Sequence, residues 1–504
     1  MSHASAVETM PRPAHVEPRS LGELARLVAG ARSGGDLAVT GITSSSARVR
    51  AGDLFAALPG RTAHGAEFVP EALAAGAVAA FTDPDGLALL PPGTPALVVD
   101  DARSRLGQVA AEIYGRPSDH LSVLGVTGTS GKTTTTFLVR AGLAAAGRSP
   151  GLMGTVATMI GDHAVKTGFT TPEAPDLQAL LAVMRERGAD TVAMEVSSHA
   201  LALGRADGID FAVGAFTNLS QDHLDFHTDM EDYFAAKARL FDGRARVPVI
   251  VVDDEWGRRL AASVGPGAVT VSTSEVEGTW RTTDVRVEPD GSTAFRVHGP
   301  GVELTGGCRV PGAYNVANAV LALAILDAAG VPAKLAAPAV AAATVPGRME
   351  RIDLGQPYLA IVDYSHKPAA VEGALLALRP LTKGRLIIVL GCGGDRDRAK
   401  RPLMGAVAAR DADRLIITDD NPRSEDPAAI RAAMLAGVPG ALRDRVREVG
   451  DRAAAIEAAV DAAGPHDTVL VAGKGHEAGQ EVAGVVHPFD DREVLRRAIQ
   501  ERIG

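Results

Sequence analysis

At 504 residues the chain has room for roughly two to four domains, and its 46% hydrophobic content, with only 4% aromatics, makes their cores aliphatic. A formal net charge of −10 excludes a nonspecific nucleic-acid binder. The two cysteines, Cys308 and Cys392, exclude a disulfide scaffold and a cysteine metal site, and no apolar run reaches the ~20 residues of a membrane span.

Residues 1–20 are rich in Pro, Ala and charge and read as a disordered tail, not a signal peptide. Short helices over 21–28, 68–75 and 104–114 alternate with strands over 37–42, 53–57, 77–81 and 96–99. This is a small α/β unit, closed by the turn-rich linker GRPSDHLS at 115–122.

At 123–136 the chain reads VLGVTGTSGKTTTT. An apolar strand feeds a glycine-rich turn, and a helix follows over 137–146, stopped by Gly147. Gly125, Gly128 and Gly131 let backbone N–H groups approach an anion closely, and the helix N-terminus adds favourable polarity. Lys132 reaches β/γ-phosphates, and the Thr133 hydroxyl suits Mg²⁺. Val126 stands where the strict phosphate-loop pattern has its first glycine.

Strands recur over 191–194, 212–216 and 247–252 with helices between them, which implies a parallel sheet covered by helices. Glu195, at the end of the first of these strands, takes the position of a metal carboxylate. The TNLSQDHLD stretch at 217–225 clusters oxygen ligands around His223. A helix over 229–241, capped by Asp229, puts Met230, Phe234, Lys237 and Phe241 on one stripe. A lysine there either snorkels or has a depressed pKa; snorkelling is the reading the residues alone favour. In the second case its neutral amine can take up CO₂ as a carbamate, an anion able to bind Mg²⁺.

A hairpin is predicted across 284–309 about a Pro289-Asp290-Gly291 turn, then an apolar helix over 315–329 ended by Gly330. Beyond 344–349, strands over 385–390, 414–418 and 468–472 each run into a glycine-rich or charged loop. These loops hold Gly394-Asp395-Arg396, Asp420-Asn421-Pro422-Arg423 and Gly473-Lys474-Gly475-His476-Glu477. Loops at the carboxyl ends of parallel strands line a ligand crevice. Arginines there pair with carboxylates and acidic groups with ammonium, a mixture suited to an amino acid.

Together these motifs resemble the Mur ligase family, ATP-dependent amide-forming enzymes of peptidoglycan precursor synthesis, and the matching stretches span nearly the whole chain. They are TGTSGKTT at 127–134, MEVSSHAL at 194–201, TNLSQDHLD, PGAYNVAN at 311–318, PGRME at 346–350 and DYSH at 363–366. The resemblance implies an α/β fold of three domains: a UDP-binding unit over 21–120, a central phosphate-loop ATPase over 121–345 and a Rossmann-like unit over 346–504. It implies ATP contacts from Gly128, Thr129, Ser130, Gly131, Lys132, Thr133, Thr134, Asn315, Arg348 and Asp363. It implies Mg²⁺ held by Thr133, Glu195, His223 and Lys237, with Lys237 carbamylated (N6-carboxylysine) and Lys132 in catalysis.

Ser44, Ser46, Thr170, Thr171, Ser198 and Arg205 match positions that bind UDP-N-acetylmuramoyl-L-alanyl-D-glutamate. Relatives carry Asp where this chain has Ser45, and some carry Gln where it has Leu203. Arg396, Asp420, Asn421, Pro422, Arg423, Gly473 and Glu477 match positions that bind diaminopimelate, whose distal end carries a carboxylate and an ammonium. The implied reaction adds diaminopimelate, in its meso form, to the D-glutamate side-chain carboxylate through an acyl phosphate. L-Lysine and LL-diaminopimelate are the alternative amino acids, and a folate polyglutamate ligase, a nucleotide-binding regulator and a motor ATPase are the rival classes. The expected setting is a cytoplasmic monomer without a nucleic-acid partner.

Overall fold

The computed structural model describes residues 8–33, 35–60, 62–288, 291–309 and 312–503. The chain divides into two compact units. The first comprises Met1–Arg281, His298–Val302 and Val320–Val340; the second comprises Thr282–Val297, Glu303–Ala319 and Ala341–Gly504. Among the described residues no helix is long and apolar enough to cross a membrane.

The first unit holds two large sheets and, among the described residues, a short antiparallel pair, Arg19–Ser20 with Ala38–Val39. In one, Ala96–Val98, Ala79–Thr82, Asp53–Ala56 and Gly41–Thr43 run parallel in that spatial order, with Ala31–Ser33 antiparallel at the Ala96–Val98 edge. Leu21, Leu24, Val39, Ile42, Leu54 and Phe81 pack with the helix Ala102–Ile113 into its core. In the other, Pro150–Met153, Thr191–Glu195, Ser122–Thr127, Phe211–Phe216, Ala245–Val251 and Val269–Ser272 run parallel in that order. Such strands are buried on both faces and read as continuous apolar runs. Ser122–Thr127 is followed in sequence by a strand on one side of it and later by one on the other. That reversal opens a crevice beyond its carboxyl end.

Residues 8–20 are structured, a difference from the disordered tail expected over 1–20, of which residues 1–7 lie outside the described residues. Glu8–Thr9 pairs in parallel with His163–Lys166. Arg12 clamps the buried carboxylate of Asp53 with one nitrogen at 2.8 and 2.7 Å. The N–H groups of Ala14 and His15 donate to Glu186. Composition alone hides these long-range partners.

The second unit has a six-stranded sheet in the order Glu350–Arg351, Leu359–Asp363, Thr468–Ala472, Leu386–Leu390, Arg414–Ile417, Val446–Glu448, parallel except for the first strand. Thr468–Ala472, the last strand of this sheet in sequence, inserts between the two earliest of the parallel set, so a second switch point forms. Asp363, Ala472, Leu390 and Ile417 lie in register at the carboxyl edge. Helices on the two faces bury separate clusters, one around Val371, Leu375, Met404 and Ile430, the other around Ile456, Val460, Leu495 and Ile499. The hairpin expected over 284–309 appears as strands Trp280–Val287, Thr293–Gly299 and Val302–Cys308; Pro289 and Asp290 of its turn lie outside the described residues.

Candidate active site

The glycine-rich turn and the two loops beside it form one hydrogen-bonded group. Gly128 has φ +143° and Gly131 φ +87°. A Cβ on Gly128 would sit 1.8 Å from the Thr217 hydroxyl, so only glycine fits this cradle. The loop 217–220 braces the turn: Thr217 Oγ1 donates to the Ser130 carbonyl at 2.6 Å, Asn218 Oδ1 accepts from Ser130 N–H at 3.1 Å, and Ser220 N–H donates to Thr129 Oγ1 at 3.0 Å. The helix starts at Lys132, not at 137 as expected. Its four threonines are poor helix formers, but all are buried here, and packing overrides propensity.

Lys132 Nζ donates to the carbonyls of Gly128 and Thr129 at 2.8 and 3.0 Å. Thr133 Oγ1 donates to Glu195 Oε1 at 2.9 Å. Glu195 is 1% exposed and also accepts from the N–H and hydroxyl of Thr155 at 2.8 and 3.1 Å. The Thr155 hydroxyl meets Thr170 Oγ1 at 2.9 Å, and Thr171 Oγ1 donates to the Glu195 carbonyl at 3.0 Å. Thr155 thus joins the strand-end carboxylate to the 170–171 stretch. Its lack of any charge or motif hid it in the sequence.

Lys237 corrects the snorkelling reading. It is 1% exposed; its ammonium donates to the Gly128 carbonyl at 2.8 Å and lies 4.5 Å from the centre of the Tyr233 ring. Tyr233, also unforeseen, is fully buried and its hydroxyl meets Thr129 Oγ1 at 3.2 Å. Burial drives the Tyr233 phenol well above its usual range. His223 has a left-handed backbone, φ +54°, and Nε2 lies 3.1 Å from Asp222. Ser198 Oγ lies 3.0 Å from His227 Nε2, whose Nδ1 faces Asp232 at 3.3 Å. Burial lowers the pKa of His227. Arg205 pairs with Glu173, N to O 2.8 Å, and stacks on the Phe169 ring at 4.6 Å. Ser44 is exposed and Ser46 opens the short turn Ser46–Arg48.

Thr133 and Glu195 present oxygen donors beside the phosphate-sized cradle. That chemistry fits Mg²⁺, which takes carboxylate and hydroxyl oxygens together with phosphate and water. Among the described residues no group of three or more His, Cys, Asp or Glu side chains could hold a metal by itself.

Asn315, Arg348 and Asp363 belong to the second unit. Asp363 accepts from the N–H groups of Met349 and Ser365 at 2.6 and 2.9 Å, which fixes it beside Arg348, and Arg348 lies 4.2 Å from the Tyr364 ring centre. Asn315 Oδ1 accepts from Asn318 at 3.3 Å.

The three loops of the C-terminal sheet converge as expected. A Cβ on Gly393 would lie 2.9 Å from Arg423 Nη1 and 3.9 Å from Arg396 Cγ, and one on Gly473 would lie 2.6 Å from Asp420 Oδ2. Pro422 packs its carbonyl against Gly394. Arg423 has φ +52° and donates Nη1 to the Gly394 carbonyl at 2.7 Å. Glu477 accepts from Asn421 Nδ2 at 2.8 Å and from the buried Lys474 ammonium at 3.1 Å. The hairpin Gly479–Val482 and Val485–Pro488 was not foreseen. It shapes the Asp420–Arg423 loop: Gln480 donates to the Asp420 carbonyl at 2.8 Å, Glu481 N–H to Asn421 Oδ1 at 2.9 Å, and Arg423 N–H to the Glu481 carbonyl at 3.0 Å. Alternation in the run GQEVAGVVHP was the signal available.

A glycine turn at one switch point and mixed-charge loops at another fit an ATP-dependent ligase class, and the family comparison shows that class. Residues 38–114 match the Mur ligase family catalytic domain, 126–326 the Mur ligase middle domain and 347–475 the Mur ligase glutamate ligase domain. The chain belongs to the Mur ligase family. It is 56% identical over 502 residues to the UDP-N-acetylmuramoyl-L-alanyl-D-glutamate--2,6-diaminopimelate ligase of Streptomyces avermitilis, covering 98% of this chain and 99% of that one. It is 50% identical over 515 residues to the ligase of the same name from Corynebacterium efficiens, covering 97% of each. Among solved structures, one of a ligase of that name superposes with TM-score 0.71 at 32% identity, covering 97% of this chain and 100% of that one. The folylpolyglutamate synthase of Mycobacterium tuberculosis, at TM-score 0.60, 18% identity, 73% of this chain and 92% of that one, shares the fold.

Proposed function

We propose that this chain joins diaminopimelate to the D-glutamate side-chain carboxylate of UDP-N-acetylmuramoyl-L-alanyl-D-glutamate, with ATP cleaved to ADP and phosphate. The observation that carries the reading is near-full-length identity above one half to ligases of that name. The crevice supports it: Arg396 and Arg423 suit the carboxylates of a diamino diacid, and Asp420 and Glu477 its ammonium groups. Lysine would leave Arg423 without a distal carboxylate.

In this reading ATP lies along Gly128–Thr134, Lys132 leaves its own loop carbonyls for the phosphates, and Asn315, Arg348 and Asp363 take the nucleoside end. The D-glutamate carboxylate attacks the γ-phosphorus, which gives an acyl phosphate and ADP. The diaminopimelate amine then attacks the acyl carbon. The C–O bond to phosphate breaks, phosphate leaves, the ammonium proton goes to solvent and the amide remains. Thr133 and Glu195 would hold Mg²⁺, with His223 and Lys237 in its carbamylated form as further ligands, and the ion would offset phosphate charge. A carbamate on Lys237 would keep one N–H for the Gly128 carbonyl but would replace the buried cation by an anion whose oxygens are free to ligate a metal ion. A mass gain of one CO₂ on native protein in bicarbonate, lost on Lys237→Met, tests it. Ser44, Ser46, Thr170, Thr171, Ser198 and Arg205 would receive the UDP-muramoyl dipeptide. Division of labour follows the segments 21–120, 121–345 and 346–504. We place the reaction in the cytoplasm, where both nucleotide substrates are made, with the protein acting as a monomer.

The test is phosphate release from ATP with the UDP-muramoyl dipeptide and no amino acid, meso-diaminopimelate, LL-diaminopimelate or L-lysine, each product confirmed by mass. Release and amide with the meso form support the reading. Product with lysine alone, or no stimulation by any of the three, overturns it.

A further inference from the structure

Arg452 opens the helix Arg452–Ala462, and its side chain is fully buried, as is that of Asp491, which opens the helix Asp491–Ile503. The guanidinium is forked onto one carboxylate: Nε donates to Asp491 Oδ1 and Nη2 to Oδ2, both at 2.7 Å. Its remaining donors reach two backbone carbonyls, Nη2 to Ala472 at 2.9 Å and Nη1 to Asp419 at 3.3 Å. Ala472 precedes Gly473, and Asp419 precedes Asp420. The strands that lead to them, Thr468–Ala472, ending at Ala472 itself, and Arg414–Ile417, ending just before Asp419, flank Leu386–Leu390 on opposite sides. One planar group therefore spans a strand and ties the first residues of two crevice loops.

A buried ion pair is a costly way to hold a core together, since apolar residues of the same volume do so as well or better. Its particular contribution is geometry, because the guanidinium presents donors at fixed angles. Burial disfavours its charge, but Asp491, and beyond it Asp420 and Glu477, keep it protonated. The groups that hold the charge include the two acids read above as ammonium partners.

We propose that Arg452 is a positioning residue of the amino-acid crevice: through the Ala472 and Asp419 carbonyls it sets the spacing of Asp420 from Gly473–Glu477, and Asp491 orients it. Arg452 itself touches no substrate. The inference rests on the crevice being the diaminopimelate site.

The experiment compares wild type, Arg452→Lys and the double variant Arg452→Met/Asp491→Leu. Lysine keeps the charge and loses the fork; the apolar pair removes both charges from the core. Each is assayed for kcat, for KM of meso-diaminopimelate, of ATP and of the UDP-muramoyl dipeptide, and for melting temperature. The expected result in both variants is a KM for diaminopimelate raised about tenfold or more, since small misplacements of binding groups are costly. The KM values for ATP and the dipeptide stay within about twofold and kcat within about threefold. The double variant melts close to wild type. A folded variant with diaminopimelate KM within about twofold of wild type overturns the proposal, as does a parallel rise in all three KM values. If neither variant folds, the pair is structural and the proposal fails. Wild type that makes no amide with diaminopimelate fails the functional reading by itself, before any variant is compared.

Discussion

Replacing Gly128 by Ala puts the phosphate cradle under a measurable load. The backbone at Gly128, φ +143°, is a conformation that L side chains rarely adopt, and holding it costs about 1–3 kcal/mol. The new methyl would lie 1.8 Å from Thr217 Oγ1 and 3.1 Å from the backbone N and O of Asn218. Thr217 must move, which breaks its 2.6 Å bond to Ser130 and costs about 1–3 kcal/mol more. The sum, about 2–6 kcal/mol, falls on the turn proposed to receive the phosphates, and its lower end, if taken from binding, corresponds to about a 30-fold loss of affinity. ATP KM at saturating acceptor and amino acid, with melting temperature alongside, measures it. Gly147→Ala is the control: φ is +75° and no atom lies within 4 Å of the added methyl. It loses about 1 kcal/mol of stability and leaves the ATP KM unchanged. An ATP KM for Gly128→Ala within about twofold of wild type, or equal effects from the two variants, refutes the steric argument.

Lys132→Ala abolishes amide formation while the protein stays folded; near-normal product by mass rejects the role given to that lysine. Arg12→Met strips the guanidinium from Asp53, which is 2% exposed, and costs about 3 kcal/mol in urea unfolding; a loss below about 1 kcal/mol means that the N-terminal segment does not hold the first unit. Burial pushes the imidazole of His366 down to about 4. The folded state thus favours the neutral ring, so its contribution is complete above the ordinary value near 6.5 and is lost as pH falls from there toward 4. Urea midpoints that fall less steeply between about pH 7 and pH 5 for His366→Gln than for wild type bear this out; parallel slopes count against it.

The α/β alternation and the phosphate loop were legible because buried parallel strands leave unbroken apolar runs, and glycines at fixed positions mark a turn that excludes Cβ atoms. The convergence of Arg396, Asp420, Arg423, Gly473 and Glu477 was legible for a related reason: each loop follows such a strand, and in-register strands bring their ends together. From the residues alone, apart from the family resemblance, Lys237 reads as snorkelling, because a helical stripe shows which side chains share a face, not that a carbonyl waits there; Gly128 lies 109 residues earlier. Thr155, Tyr233 and Arg452 act through partners far away in sequence, and nothing in their own neighbourhood announces it; the hairpin after Glu477 left an alternating run, but its contact with the Asp420–Arg423 loop is equally remote. The order of the segment from residue 8 had the same cause, since Arg12 finds Asp53 and Glu8–Thr9 finds another strand only in the folded chain.

The hairpin that shapes the Asp420–Arg423 loop comes 60 residues after it, and Asp491 comes later still. During synthesis the cradle at Gly128–Thr134 and its bracing loop leave the ribosome before the strands of the C-terminal sheet have been made. The wall of the amino-acid crevice waits for the last strand pair and the last helix. A chain cut short before residue 479 would retain every residue of the nucleotide cradle while lacking the template for Arg423.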